Sequence, residues 1–383
     1  MHPHLYAEQA LLGALLLEPT RVEEVRGRLL PEHMYRPAHT ALYRALLEHP
    51  APPDATATMA TRVLALVAAA GEHAAGITPV YAHTLMAACP YPRNAVLYAR
   101  MIVEAADHRT IAQHATRLGQ VAVADQARDG LADTLTHHQA LHAALDELAH
   151  RWGEPHGTTP PAPVVLPPTT PCPRDLTEEQ ALIAALVADP TPLSRIGHWL
   201  RPDDFADHAH RALYQSIAGL AHRGETIDPL TVLWEAQRRG HLADGTLTPE
   251  LTLTITAYGT GGSTDYHARR VLRAALLRTA AATAHTARTH ANNPTLPIRH
   301  LLAVTRLAMG PLDEIRRRWH TALGEPTYST RGETVGPVND ATVGAARSRT
   351  TAFRAPGMSE PTPERAANVP ARRAAPNPPT SFR

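Results

Sequence analysis

Apolar and polar positions follow a helical pattern along most of the chain, and one segment within it argues for a strand instead. Leu251-Thr252-Leu253-Thr254-Ile255 alternates with a period of two, as a strand would. Thr248-Pro249-Glu250 just before it is a good helix start, however, since a threonine cap followed by proline suits a first turn. The paired segment earlier in the chain, Thr78-Pro79 to Cys89, lacks the alternation, so both are predicted as helices. Other boundaries are plainer. Thr20 with Glu23 and Thr177 with Gln180 have capping-box spacing and predict helix starts. Asp228-Pro229 supplies a cap followed by proline, and Gly240 ends that helix; Asp54 to Gly71 is its counterpart. Long helices are expected at about 94–128 and 131–152, and again at 264–291 and 297–322, the second pair parted by Asn292-Asn293-Pro294.

Two stretches break this pattern. Residues 153–174 hold 8 Pro in 22 positions with almost no charge, the composition of a semi-rigid polyproline-like linker. Residues 324–383 are rich in Pro, Thr, Ala and Arg and poor in large apolar side chains, so a disordered tail is expected there. The two remaining blocks, 1–152 and 175–323, match each other. Glu8 to Ala45 aligns without gaps onto Glu179 to Ser216 at an offset of 171, with 15 of 38 positions identical. Identities include Glu8/Glu179, Pro31/Pro202, His39/His210 and Tyr43/Tyr214. The match resumes where Leu145-Asp146-Glu147 and Arg151-Trp152 recur as Leu312-Asp313-Glu314 and Arg318-Trp319. The predicted architecture is all-α: two tandem helical bundles, each ending in a helical hairpin.

Composition narrows the chemistry. The chain has 37 basic and 36 acidic side chains, and every basic one is Arg. With no Lys there is no Walker-A phosphate loop, Schiff-base lysine or Ser–Lys dyad. Its 2 Cys are too few and too far apart for a disulfide framework or a Cys-rich zinc site. No apolar run approaches the roughly 18 residues of a membrane span, and the N-terminus makes a poor signal peptide, so a cytoplasmic protein is expected.

The repeated block resembles a known family. Glu8-Gln9-Ala10-Leu11-Leu12-Gly13-Ala14-Leu15-Leu16-Leu17 and Leu30-Pro31-Glu32-His33-Met34-Tyr35-Arg36-Pro37-Ala38-His39 resemble the opening of the N-terminal domain of DnaB-type replicative helicases. In the second block, Arg201-Pro202-Asp203-Asp204-Phe205, His210-Arg211-Ala212-Leu213-Tyr214 and Arg223-Gly224-Glu225-Thr226-Ile227-Asp228-Pro229 are similar to that pattern. The first block has Pro50-Ala51-Pro52-Pro53-Asp54 in place of the Arg-Gly-Glu stretch. Tyr98-Ala99-Arg100-Met101-Ile102-Val103 looks like the family's tyrosine-alanine segment. The resemblance implies a collar domain that pairs through its hairpin and is similar to the helicase-binding domain of primase. In that family the motor is a separate ATPase domain, which needs the lysine missing here.

Candidate functional residues are few. His39 and His210, with Tyr43 and Tyr214 one turn on, read as packed residues whose phenols reach the surface. His138 and His142 lie one turn apart, and Glu147-Leu148-Ala149-His150 has Glu-x-x-His spacing, but Arg317 stands where a second His150 would be, so no metal site is expected. Arg269, Arg270, Arg273 and Arg278 lie on one predicted helix with only Asp265 opposing them, and are the candidate contacts to a partner or to nucleic acid. No aromatics interleave them, which disfavours a stacking platform for single strands. No catalytic motif and no cofactor site is present, so the chain is expected not to be an enzyme. The expected role is a non-catalytic adaptor or regulator at the replicative helicase or primase, its hairpins pairing within the chain or between copies. The alternatives are weak DNA binding through the Arg-rich hairpin and tail, and a helicase paralogue lacking its motor.

Overall fold

Helix starts in this protein rest on short polar side chains and prolines, which satisfy or remove the unpaired first-turn N–H groups. Thr58, Thr78, Asp207, Asp228, Thr248 and Ser263 each accept a hydrogen bond from the backbone two or three residues on. The computed structural model describes residues 3–49, 58–153, 165–257 and 263–325. Most of the predicted linker (154–164) and nearly all of the predicted tail (326–383) lie outside the described residues.

The first block runs α1 (Pro3–Leu17), α2 (Val22–Val25), α3 (Pro37–Glu48), α4 (Met59–Gly71), α5 (Pro79–Ala87), α6 (Ala95–Arg128) and α7 (Ala132–Trp152). The second repeats that order as α8 (Pro173–Ala188), α9 (Leu193–Ile196), α10 (His208–Arg223), α11 (Pro229–Arg238), α12 (Pro249–Thr256), α13 (Thr264–Ala291) and α14 (Ile298–Leu323). No strand occurs among the described residues, and Leu251–Ile255 is helical within α12. The fold is all-α, with each bundle closed by a long hairpin. Among the described residues, no helix is long and apolar enough to cross a membrane.

Two expected helix starts are corrected. Thr177 lies inside α8, which begins at Pro173, and its hydroxyl donates to the Pro173 carbonyl. Proline at the first helical position, after an extended Cys172, starts the helix a turn earlier. Thr20 falls in a single 3-10 turn, Pro19–Arg21, and makes no cap.

In each bundle the opening helix is central. α1 buries Ala10, Leu11, Leu12, Leu15 and Leu16 against α3, α5 and α6, while α8 packs likewise against α10, α12 and α13. Gly13 is where α1 crosses α5: a Cβ there would overlap the Leu85 carbonyl. The second block has Ala184 at the equivalent position.

The hairpins join the bundles. α6 has 34 residues, about 51 Å at 1.5 Å per residue, and packs along α13, while α7 packs on α14. Gly119 of α6 faces Ala284 of α13, where a Cβ would come within 3.3 Å of the alanine methyl. The apolar core divides unevenly. Ala95, Ala99, Ile102 and Val103 of α6 belong to the first bundle's core. Ile111, Leu118 and Ala122, with Leu141, Leu145 and Leu148 of α7, belong to one continuous cluster with the second bundle. The outer half of the first hairpin is thus buried by the second block.

Candidate functional site

The arginine row of α13 meets the tip of the first hairpin. There α6 ends with Asp129 in the left-handed region (φ 63°), and Gly130 N donates to the Asp125 carbonyl at 2.8 Å. The Asp125 carboxylate turns back to accept from Thr134 N at 2.9 Å and Thr134 Oγ1 at 2.8 Å, which starts α7. The remaining carbonyls at the end of α6 need donors, and a cation is favoured at that negative end of the helix dipole.

Arg273 supplies the cation and adds donors to two carbonyls at the tip, one of them already reached by Gly130 N. Its Nε donates to Gly130 O at 3.0 Å and its Nη2 to Asp125 O at 2.8 Å, and Nη1 lies 3.0 Å from Asp129 Oδ1. Arg270 pairs with Asp129 and approaches Glu178 at 3.4 Å. Arg278 donates to Asp204 O at 2.5 Å and lies 3.8 Å from Asp175. Arg269 is exposed and has no ion-pair partner among the described residues. Asp265, the acid expected to oppose the row, pairs instead with Arg195. Of the four candidates, therefore, three point into the fold and two of these fasten the tip of the first hairpin to the second block. Burial lowers the pKa of Arg273 and of Arg278, partly offset by their acids. Asp129 is pushed up by partial burial but held below the usual carboxylate range by the hydrogen bond from Arg270 and the charges of Arg273, Arg270 and Arg174.

The matched histidines are internal. Glu8 accepts from Tyr35 N at 2.6 Å and lies 2.6 Å from His39 Nδ1; His39 Nε2 is 2.7 Å from the Tyr81 hydroxyl. Glu179 repeats this with Ala206 N at 2.7 Å and His210 Nδ1 at 3.0 Å. The two tyrosines correct the expectation that their phenols reach the surface. Tyr43 and Tyr214 are fully buried and donate to the Leu29 and Leu200 carbonyls at 3.1 and 3.3 Å. Burial pushes the Tyr43 hydroxyl up to about 12.

His138 and His142 meet Asp313 of the repeated Leu-Asp-Glu motif, which the sequence did not connect with them. Asp313 of α14 lies with Oδ1 2.9 Å from both Nε2 atoms, and the two rings stand edge to face at 4.8 Å. His150 instead bonds the Asp146 carbonyl at 2.7 Å, and Glu147 pairs with Arg151 at 3.5 Å. The Arg-Trp repeat has diverged in its partners. Arg151 and Trp152 both donate to the buried Asp107, at 2.7 and 2.6 Å, whereas Arg318 donates to Asp204 and to the Trp199 carbonyl.

Known proteins give this geometry a context. The family described as the DnaB-like helicase N terminal domain matches residues 1–104 and 172–273, more than half of the chain. The chain is 31% identical over 142 residues to the replicative DNA helicase DnaB of Mycobacterium leprae, covering 36% of this chain and 22% of that protein. It is 30% identical over 100 residues to DnaB of Rhodothermus marinus, covering 26% and 11%. It is also 30% identical over 114 residues to the replicative DNA helicase DnaC of Bacillus subtilis, covering 30% and 25%. The chain thus matches only about a tenth to a quarter of the length of these relatives.

Proposed function

This chain belongs to the family of DnaB-like helicase N-terminal domains, present as a tandem pair, and on that premise we propose that it is a non-catalytic adaptor or regulator at the replicative helicase or primase. In this reading 1–152 and 175–323 are two collar-like units, 153–174 tethers them and 324–383 is a tail. The carrying observation is the packing of α6 on α13 within one chain. Tethering raises the effective concentration of the second unit, often to millimolar, so the hairpin surfaces satisfy each other and the chain is monomeric. The outer faces of the bundles are then left for a replication protein. A chain without Lys has no phosphate-loop lysine with which to act as the motor.

The test is sedimentation of the purified chain alone, with the host's replicative helicase, and with its primase. A monomer that co-sediments with one of the two is the expected result. Binding to neither overturns the proposal. The alternative is DNA binding through Arg269, Arg270, Arg273, Arg278 and the tail, which requires a steep salt dependence lost on neutralising those residues. Three of the four already hold internal partners, which is why the adaptor reading is preferred.

A further inference from the structure

The contact between α7 and α14 is reciprocal in backbone but not in chemistry. At an offset of 167, Asp146 is the counterpart of Asp313, while Thr305 and Met309 are the counterparts of His138 and His142. On one side Asp146 takes Arg306 at 2.9 Å, an ordinary exposed ion pair. On the other side two imidazoles converge on one carboxylate oxygen, and the ligand atoms of all three residues lie within 4.8 Å of one another.

We propose that His138, His142 and Asp313 form a transition-metal site, best suited to Zn2+, that bridges the hairpins of the two blocks. The i,i+4 spacing puts both rings on one face of α7, and the third ligand comes from the facing helix. Tetrahedral coordination with bonds of about 2.0–2.2 Å sets neighbouring ligand atoms roughly 3.3–3.6 Å apart, so the two 2.9 Å contacts to Asp313 must open by about half an ångström, and the widest separation, up to 4.8 Å, must close to match. His138 supplies an independent reason. It is 1% exposed, yet neither ring nitrogen has a hydrogen-bond partner, because Nε2 approaches Asp313 off the hydrogen-bonding axis. A buried polar group without a partner calls for one, and a metal at Nε2 provides it. His142 is about one-third exposed, which leaves an entry path and room for water as a fourth ligand. Two imidazoles and one carboxylate suit Zn2+, Co2+, Ni2+ or Cu2+ and not Mg2+ or Ca2+, which take oxygen ligands. The inference is independent of the adaptor reading, since it concerns only how the two hairpins are held together.

The test is titration of the chelator-treated full chain with Co2+, followed by its visible ligand-field absorption and then by displacement with Zn2+. One Co2+ per chain, released by Zn2+, is expected. His142→Ala and Asp313→Asn should each weaken binding by more than about 100-fold, beyond what loss of an outer-shell partner costs. Asp146→Asn, at the reciprocal position, should leave it unchanged. Zn2+ at about 100 times its Kd should also raise the melting temperature of the native chain and not that of His142→Ala. Absence of a stoichiometric Co2+ spectrum, or a spectrum that survives both His142→Ala and Asp313→Asn, overturns the proposal and assigns any binding to surface histidines.

Discussion

The residues that recur between the two blocks are mostly those that hold buried polar groups in place. Glu8 and Glu179 sit in the centres of their bundles, each accepting a backbone N–H and a histidine at once. Removing the carboxylate leaves both donors buried and unpaired, so Glu8→Ala should destabilise the protein by about 3 kcal/mol, read from urea denaturation. Tyr43 provides a milder case. Tyr43→Phe leaves the Leu29 carbonyl without its donor and should cost about 1 kcal/mol. Because the folded hydroxyl titrates at about 12 against about 10 when unfolded, its contribution is complete below pH 10 and is lost as pH rises toward 12. Ultraviolet titration of tyrosinate in the native protein and in Tyr43→Phe checks this. The repeated residues were legible in the sequence as identities. That the tyrosine hydroxyls end inside was not, because a tyrosine at a helical core position has the same spacing whether its hydroxyl meets solvent or a carbonyl.

At the scale of elements, the ends of α6 and the crossing of α1 with α5 decide most. The tip of the first hairpin has its own helix cap in Asp129, and Arg273 from the other block adds donors to the Asp125 and Gly130 carbonyls. Arg273→Met keeps the bulk and removes the donors, and should cost about 2 kcal/mol, with faster amide exchange around 125–134. Arg269→Ala, at the exposed position, should stay within about 0.5 kcal/mol. Asp129 is a carboxylate whose folded pKa is depressed. Its contribution to the clamp is present above the ordinary aspartate range and is lost as pH falls through the folded value. Acid titration of stability should therefore be shallower in Asp129→Asn. Gly13→Ala, although favourable to an isolated helix, must push α5 away from α1 and should destabilise by about 1–3 kcal/mol, whereas the second block already carries alanine there.

Over the whole molecule, the apolar cluster does not respect the duplication. Leu145 of the first hairpin is fully buried in the cluster that contains the second bundle. Leu145→Ala should cost about 2–5 kcal/mol and should lower the second bundle's transition together with the first hairpin's, measurable through Trp199 fluorescence in urea. The sequence by itself determined the helical class, the tandem repeat and the hairpin lengths. Caps, prolines and apolar periodicity act within a few residues, and the predicted hairpin ends fall within one residue of those observed. Only the tertiary structure decided which faces are covered. Arg270 and Arg273 share a helix with the exposed Arg269, yet they are enclosed by a hairpin tip more than 140 residues earlier in the chain. His138 and His142 meet Asp313 across a separation of more than 170 residues. Periodicity marks the side of a helix that is apolar, but a mixed face is buried or left in water according to the neighbour that packs against it, and that neighbour is chosen by the pairing of distant helices.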